Sequence, residues 1–205
     1  MHEFIPYGRQ NIDEEDLKAV TEALRSDWIT QGPRVEEFET RVAEYCGARY
    51  AVAFNSGTSA LHAAMFAAGI ESGDEVITTP LTFVATANAA LYVGARPVFV
   101  DIDENTYCID IEGIEEVITP RTRAIVPVDY AGYPVEMKRI REIADKHNLV
   151  VIEDAAHALG AVREGTKVGI QADMTMFSFH PVKHITTGEG GMIVCNNLDY
   201  YRRLK

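Results

Sequence analysis

From residue 48 onward, short apolar segments alternate with longer amphipathic or alanine-rich segments, separated by turns rich in Gly, Pro and polar residues. Short runs with many β-branched residues are typical of strands, and longer segments with one apolar face are typical of helices. Seven strands are predicted, at 50–54, 75–79, 97–100, 122–126, 149–153, 174–179 and 191–195. This alternation of strands and helical segments indicates an α/β fold.

Helices are predicted at 13–26, 35–46, 59–68, 82–93 and 136–147, and Gly47 is expected to end the second of them. The strand at 149–153 is apolar at consecutive positions, which predicts burial on both faces. We therefore expect a three-layer sandwich, in which a mostly parallel central sheet lies between two layers of helices. Residues 1–205 are expected to form a single domain. Because the chain stops inside an apparent new helix at 200–205, we also expect it to be a fragment.

Composition excludes several classes of function. The formal charge of −12 at pH 7 disfavours nucleic-acid and anionic-membrane binding, because both need clustered Lys and Arg. The three cysteines lie far apart, without a CxxC pair or a nearby His, so neither a disulfide nor a metal site is expected. No basic leader and no apolar run of about 18 residues is present. These features predict a cytoplasmic protein with no membrane span.

One lysine stands in an unusual loop. Lys183 lies between two predicted strands, in a segment rich in Gly and Thr. A loop lysine is usually solvated, which is the alternative interpretation. At the floor of a cleft, however, its amine would be able to form a Schiff base with an aldehyde.

An acidic residue ends the apolar strand upstream. Asp154 lies at the carboxyl end of the segment 150–154, where ligands bind in α/β sheets. One interpretation is a helix N-cap. The other is a pairing with a protonated pyridine nitrogen, which would keep the ring of a cofactor cationic. His157 would either hydrogen-bond the phenolic oxygen of that ring or cover its face, and the sequence does not separate the two.

Two further strand ends carry candidate ligand contacts. At 55–61 a strand runs into a helix through Ser56, Gly57 and Thr58, and free amides at a helix start bind phosphate without basic side chains. The alternative is an ordinary Ser N-cap. Ser178 is able to add a hydroxyl to the same phosphate. Phe83 would stack on a bound ring, or would pack in the core.

Taken together, these segments resemble the fold type I enzymes that depend on pyridoxal phosphate (PLP), and within them the DegT/DnrJ/EryC1/StrS sugar aminotransferases. The resemblance covers essentially the whole chain. Its most specific segment is 178–191, which reads S-F-H-x-x-K-x-x-T-T-G-E-G-G. Four more segments match in the same order: 6–8 (PYG), 28–33 (WITQGP), 56–61 (SGTSAL) and 153–157 (EDAAH).

The resemblance implies a role for each candidate residue. It makes Lys183 the catalytic, Schiff-base lysine and Asp154 the partner of the pyridinium nitrogen. The other implied cofactor contacts are His157 and Phe83 at the ring, and Gly57, Thr58 and Ser178 at the phosphate. The implied contacts to the sugar nucleotide are Tyr7, Asp27, Trp28, Ile29, Thr30 and Ser56.

The implied reaction is a two-stage transamination. An amino acid, with L-glutamate expected, donates its amine to the cofactor, and a nucleotide-linked 4-keto-6-deoxy sugar then accepts it. Dehydratases of the same fold replace the lysine with His, so Lys183 favours transamination. The resemblance is strongest to enzymes that aminate C4 of a UDP-linked sugar on the route to pseudaminic acid.

Three other interpretations remain open: a sugar dehydratase, a 3- or 5-amino sugar transaminase, and a catalytically silent binding or regulatory module of the same fold. The family's members are about twice as long, with a small C-terminal domain that we expect to be absent here. Their sites are completed across a homodimer. An incomplete site with weak turnover is therefore expected for this chain alone.

Overall fold

The computed structural model describes residues 8–205, so the predicted substrate contact Tyr7 lies outside the described residues. Its helices are α1 (Glu14–Arg25), α2 (Pro33–Cys46), α3 (Gly57–Ala67), α4 (Ala85–Tyr92), α5 (Met137–His147) and α6 (Leu198–Leu204). Its strands are β1 (Tyr50–Phe54), β2 (Glu75–Thr78), β3 (Arg96–Phe99), β4 (Thr122–Ile125), β5 (Val150–Asp154), β6 (Val162–Arg163), β7 (Thr166–Lys167), β8 (Met174–Ser178) and β9 (Gly191–Cys195).

Seven of these strands form one sheet in the order β1-β9-β8-β5-β4-β2-β3. The four pairings from β8 to β3 are parallel, whereas β9 runs antiparallel to both of its neighbours. The predicted mostly parallel sheet is therefore confirmed. Because β1, β2, β4, β5 and β8 share one direction, their carboxyl ends meet at one edge of the sheet.

Helices cover both faces of the sheet, as predicted. On one face α3, α4 and α6 pack on a cluster that includes Val76, Ile152 and Ile193. On the other face α5 packs near Ile77 and Val151, and α2 packs on a cluster around β8 and β9. Neighbours such as Val76 and Ile77 point to opposite faces because side chains alternate along a strand. Burial on both faces explains the continuous apolar runs in the sequence.

One predicted helix end and one candidate N-cap agree with the structure, although α3 begins at Gly57, two residues before its predicted start. Gly47 ends α2 in the left-handed conformation, with φ of 79°, which glycine adopts without a side-chain clash. Ser56 caps α3, and its hydroxyl accepts the Ser59 amide hydrogen at 3.1 Å. The start of α4 was predicted three residues too early, because 80–84 forms a turn before the helix.

Two features of the fold were not predicted from the sequence. The first is the hairpin formed by β6 and β7. The long connection from β3 to β4 contains only a short 3-10 helix, Glu115–Val117, instead of an α-helix. Among residues 8–205, no helix is both long and apolar enough to span a membrane.

Candidate active site

A cavity of about 440 Å³ opens where the carboxyl ends of the parallel strands meet. It brings together residues that are far apart in the sequence but were all predicted to act at one site. The cavity is lined by all seven predicted cofactor contacts, Gly57, Thr58, Phe83, Asp154, His157, Ser178 and Lys183, and by the predicted substrate contact Ser56. This agrees with the rule that ligands bind at the strand ends of parallel sheets.

Lys183 reaches the cavity from the loop that connects β8 to β9. The loop is held in shape by bonds to the Phe179 carbonyl oxygen, which accepts from the Thr186 hydroxyl at 2.9 Å and from the Thr187 amide at 3.1 Å. The Lys183 Nζ lies 2.6 Å from the His157 Nε2. The lysine is therefore half-buried at the cavity wall, which does not fit the alternative of a freely solvated side chain.

The environment of Lys183 makes its amine easier to deprotonate than a solvated lysine. Burial lowers the pKa of Lys183, and the nearby Asp154 carboxylate opposes part of that shift. Burial also lowers the pKa of His157, and the positive charges of Lys183 and His184 lower it further. An amine without its extra proton is a nucleophile and a base, which are the two properties that carbonyl chemistry needs.

Asp154 is the last residue of β5 and is 5% exposed. The Thr86 hydroxyl donates a hydrogen bond to its Oδ2 at 2.6 Å, and the Ala156 amide donates to its Oδ1 at 3.2 Å. Burial raises the pKa of Asp154, and the bond from Thr86 opposes that rise. The residues that follow form turns, so Asp154 is not a helix N-cap. Since both donors are neutral, a cationic ligand atom would complete the carboxylate's environment.

The start of α3 presents two free backbone amides to the same cavity. Ser56 satisfies the next two positions, through its hydroxyl to Ser59 and its carbonyl oxygen to Ala60. Among the described residues, no acceptor contacts the amides of Gly57 and Thr58. The Ser56 N-cap is therefore present, and it leaves the Gly57 and Thr58 amides available to an anion.

Gly57 lets α3 approach β8 closely. A Cβ at this position would lie 3.1 Å from the Met176 Sδ, 3.2 Å from the Ser178 Cβ and 3.4 Å from the Ser178 Oγ. The Ser178 hydroxyl is consequently close to the free amides. Gly57, Thr58 and Ser178 thus line the same cavity, and all three carry donors that a phosphate group could accept from.

Of the remaining predicted site residues, one lines the cavity and four do not. Phe83 lines the cavity from the turn before α4 and is 74% exposed. The four residues Asp27, Trp28, Ile29 and Thr30 lie in the exposed loop between α1 and α2 and do not line the cavity. The structure of the described residues therefore does not bring this loop to Lys183, and its contact with substrate stays a prediction.

Two residues at the site were given no role in the sequence analysis. One is Thr86, whose hydroxyl donates to the Asp154 Oδ2 at 2.6 Å. Asp129, which lines the cavity, follows the apolar strand β4 in the way that Asp154 ends β5. Asp129 lies at the end of the apolar run 124–128, which begins in β4, and a search for polar residues after such runs would have found it.

Comparison with known proteins identifies the family. The DegT/DnrJ/EryC1/StrS aminotransferase family matches residues 10–205, and the chain belongs to this family. The spore coat polysaccharide biosynthesis protein SpsC of Bacillus subtilis is 47% identical over 194 residues, which cover 95% of this chain and 50% of SpsC.

Two solved structures are similar over most of the chain. PseC of Helicobacter pylori, an aminotransferase involved in the biosynthesis of pseudoaminic acid, has a TM-score of 0.92 and 43% identity, covering 97% of this chain and 54% of PseC. NtdA of Bacillus subtilis, with bound cofactor PMP, has a TM-score of 0.86 and 40% identity, covering 92% of this chain and 42% of NtdA. The chain spans about half the length of the curated relatives that it matches.

Proposed function

We propose that the protein is a PLP-dependent transaminase that moves an amino group from an amino acid, with L-glutamate expected, to a nucleotide-linked 4-keto-6-deoxy sugar. One observation carries this proposal. A half-buried amine (Lys183), a buried carboxylate (Asp154) and two free helix amides (Gly57 and Thr58) face a single cavity. An aldehyde, a ring nitrogen and a phosphate, all parts of PLP, need these three kinds of partner.

The residues that line the cavity fit both the pyridine ring and the phosphate group of PLP. Asp154 is buried with only neutral donors, so a protonated ring nitrogen would supply the missing cation. Gly57, Thr58 and Ser178 would hold the phosphate, and Phe83 would cover the ring. When bound, PLP supplies an electron sink for the electron pair left when a proton leaves carbon. PMP, which NtdA binds, is the amino form of this cofactor.

Lys183 has two roles in this proposal. Between turnovers its Nζ would hold the cofactor through the aldehyde carbon, and during the reaction its neutral amine would act as the base that moves a proton. His157, with its Nε2 2.6 Å away, keeps the amine turned into the cavity. Asp154 holds the ring nitrogen in its protonated form. Each role follows from the position and the charge of a side chain that lines the cavity.

The sugar substrate is the finer part of the proposal. PseC acts in the biosynthesis of pseudoaminic acid and SpsC in that of a spore coat polysaccharide, which supports a sugar acceptor. The presence of Lys183, where related dehydratases have His, supports transamination over dehydration. Tyr7, Ser56 and the loop 27–30 are the proposed contacts to the nucleotide sugar.

A homodimer in the cytoplasm is proposed for the same protein. The exposed Phe83 ring beside the cavity supports it, because a second chain would cover that ring. The apolar side chains of α1 are also exposed: Leu17, Val20 and Leu24 are between 53% and 64% exposed.

The experiment is a product assay. The purified protein, loaded with PLP, is incubated with L-glutamate and a panel of nucleotide-linked keto-sugars, and the products are separated and weighed by mass spectrometry. An amino sugar formed together with 2-oxoglutarate supports the proposal, and Lys183→Ala is the matched control. A dehydrated sugar would identify the dehydratase alternative. No product from any sugar, by a protein that binds PLP, would favour the silent module.

A further inference from the structure

A pair of buried carboxyl groups, those of Asp129 and Glu153, lies next to Asp154. Asp129, after β4, is 1% exposed, and Glu153, inside β5, is 3% exposed. The Asp129 Oδ1 accepts the Val135 amide hydrogen at 3.0 Å, whereas its Oδ2 is buried with no partner assigned among residues 8–205. The Glu153 Oε2 accepts the Thr175 hydroxyl at 2.8 Å. One buried oxygen therefore still requires a hydrogen.

Asp129 and Glu153 lie on neighbouring chain segments, because Val128 pairs with Asp154 in a parallel bridge, and each carboxyl group shifts the pKa of the other. Two carboxylates are both acceptors, so they form a hydrogen bond only when one of them carries a proton. Burial raises the pKa of Asp129 well above its usual value, and the negative charge of Glu153 adds to that rise. Burial raises the pKa of Glu153 to about 7. A proton held between the two carboxyl groups would give the buried Asp129 Oδ2 its missing partner.

Among residues 8–205, the charges that act most on the pKa values of Asp129 and Glu153 are those of other carboxylates. The titratable groups that act on the pair or on its neighbour are the carboxylate of Asp154, the thiol of Cys108 beside Asp129, the thiol of Cys46 beside Glu153, and the amine of Lys183. The charge of Lys183 acts on Asp154. A shared proton is therefore the means by which the pair is satisfied.

Asp129 also connects the pair to the cavity. Its amide donates to the Asp154 carbonyl oxygen at 3.0 Å, and its own carbonyl oxygen accepts from the Gly132 amide at 3.0 Å. A Cβ on Gly132 would lie 2.5 Å from the His157 carbonyl oxygen, so this turn packs directly against His157. The side chain of Asp129 then fixes the segment through Val135. The segment 129–135 therefore contacts the backbone of two residues assigned to the cofactor.

We propose that Asp129 is a positioning residue, which shares one proton with Glu153 and thereby holds the segment 129–135 against Asp154 and His157. The inference rests on the proposed function, because that is where Asp154 and His157 are assigned to PLP. Asparagine at position 129 imitates a protonated Asp, since its amide donates to Glu153 and its oxygen accepts from Val135. Alanine imitates neither.

The shared proton is tested by infrared spectroscopy of the purified protein between pH 5 and 9. The parent is expected to show the C=O stretch of a protonated carboxylic acid at pH 7. Asp129→Asn is expected to lose the intensity that one carboxylic acid contributes to that band. Asp173→Asn is the matched control. Asp173 bonds Arg141 and the Val151 amide at the other end of the sheet, so the band is expected to stay. No band in the parent, or an equal band in Asp129→Asn, would overturn the inference.

The positioning role is tested by PLP affinity, measured by absorbance titration. Asp129→Ala is expected to weaken binding at least about tenfold, and Asp129→Asn is expected to restore it to within about threefold of the parent. If the alanine variant does not fold, Asp129→Leu keeps the approximate shape of the side chain and removes the same acceptor. Equal affinity in the parent and in the truncated variant would overturn the positioning role. A parent that binds no PLP would refute the proposed function, while the infrared result would still judge the shared proton.

Discussion

Replacing Thr86 with valine removes one hydrogen bond from the buried carboxylate of Asp154 and changes little else. The Thr86 hydroxyl is within hydrogen-bond distance of the Asp154 Oδ2 at 2.6 Å, the Thr82 Oγ1 at 2.8 Å and the Phe83 carbonyl oxygen at 3.1 Å. A hydroxyl has one hydrogen to donate, and the charged acceptor at the shortest distance takes it. Valine keeps the shape of the side chain but donates nothing.

The size of the effect follows from the charge of the acceptor. A hydrogen bond to a charged group contributes about 1.5–3 kcal/mol, which corresponds to roughly 10- to 150-fold in an equilibrium constant. Without PLP, burial raises the pKa of Asp154, so uptake of a proton by this carboxyl group offsets part of the cost. With PLP bound, Asp154 has to stay ionised to hold the ring nitrogen. The loss is therefore expected mainly in PLP affinity and less in stability.

The assay is a PLP titration at pH 7.5 followed by absorbance, together with thermal unfolding of the protein without PLP. We expect Thr86→Val to weaken PLP binding by about tenfold or more. Thr86→Ser keeps the hydroxyl and is expected to stay within about threefold of the parent. If Thr86→Val binds PLP as tightly as Thr86→Ser, the role given to Asp154 is wrong.

Three further predictions concern the rest of the fold. Gly57→Ala should lower the free energy of unfolding in urea by about 1–3 kcal/mol, because its Cβ would lie 3.1 Å from the Met176 Sδ. An unchanged midpoint of urea unfolding would contradict this. Hydrogen bonds from Thr119, Arg121 and Arg96 lower the pKa of Glu75 to about 2. The contribution of Glu75 to stability is therefore present above its pKa in the unfolded chain, near 4.5, and is lost as the pH falls towards 2. Glu75→Gln should therefore be less stable at pH 7 and lose less stability between pH 4.5 and 2; equal acid profiles would refute the pairing. Burial raises the pKa of Cys46 to about 11. This thiol should therefore react slowly with a thiol reagent in the folded protein at pH 8 and rapidly in urea. Fast labelling of the folded protein would disprove its burial.

The elements of this fold were largely readable from the sequence. The strands 50–54 and 191–195 were predicted at their observed limits, because both are short apolar runs bounded by polar residues or glycine. The direction of β9 was not predicted. Its antiparallel pairing with β1 and β8 depends on partners that are distant in the chain, and its own residues carry no signal of direction.

The site was predictable where one residue carries its own signal. Lys183 stands in a distinctive loop, and Gly57 stands at a helix start. The contact between Thr86 and Asp154 joins residues 68 positions apart, so only the folded sheet reveals it. The shared proton of Asp129 and Glu153 likewise depends on two adjacent strands packing in one register.

The most direct test of the account is to trap the cofactor on its lysine. The protein is mixed with PLP, the visible spectrum is recorded, borohydride reduces the linkage, and the modified peptide is mapped by mass spectrometry. We predict a single label on Lys183, at the wall of the cavity that Asp154 and the α3 amides also line. A label on another lysine, or none in a protein that binds PLP, would contradict the central claim.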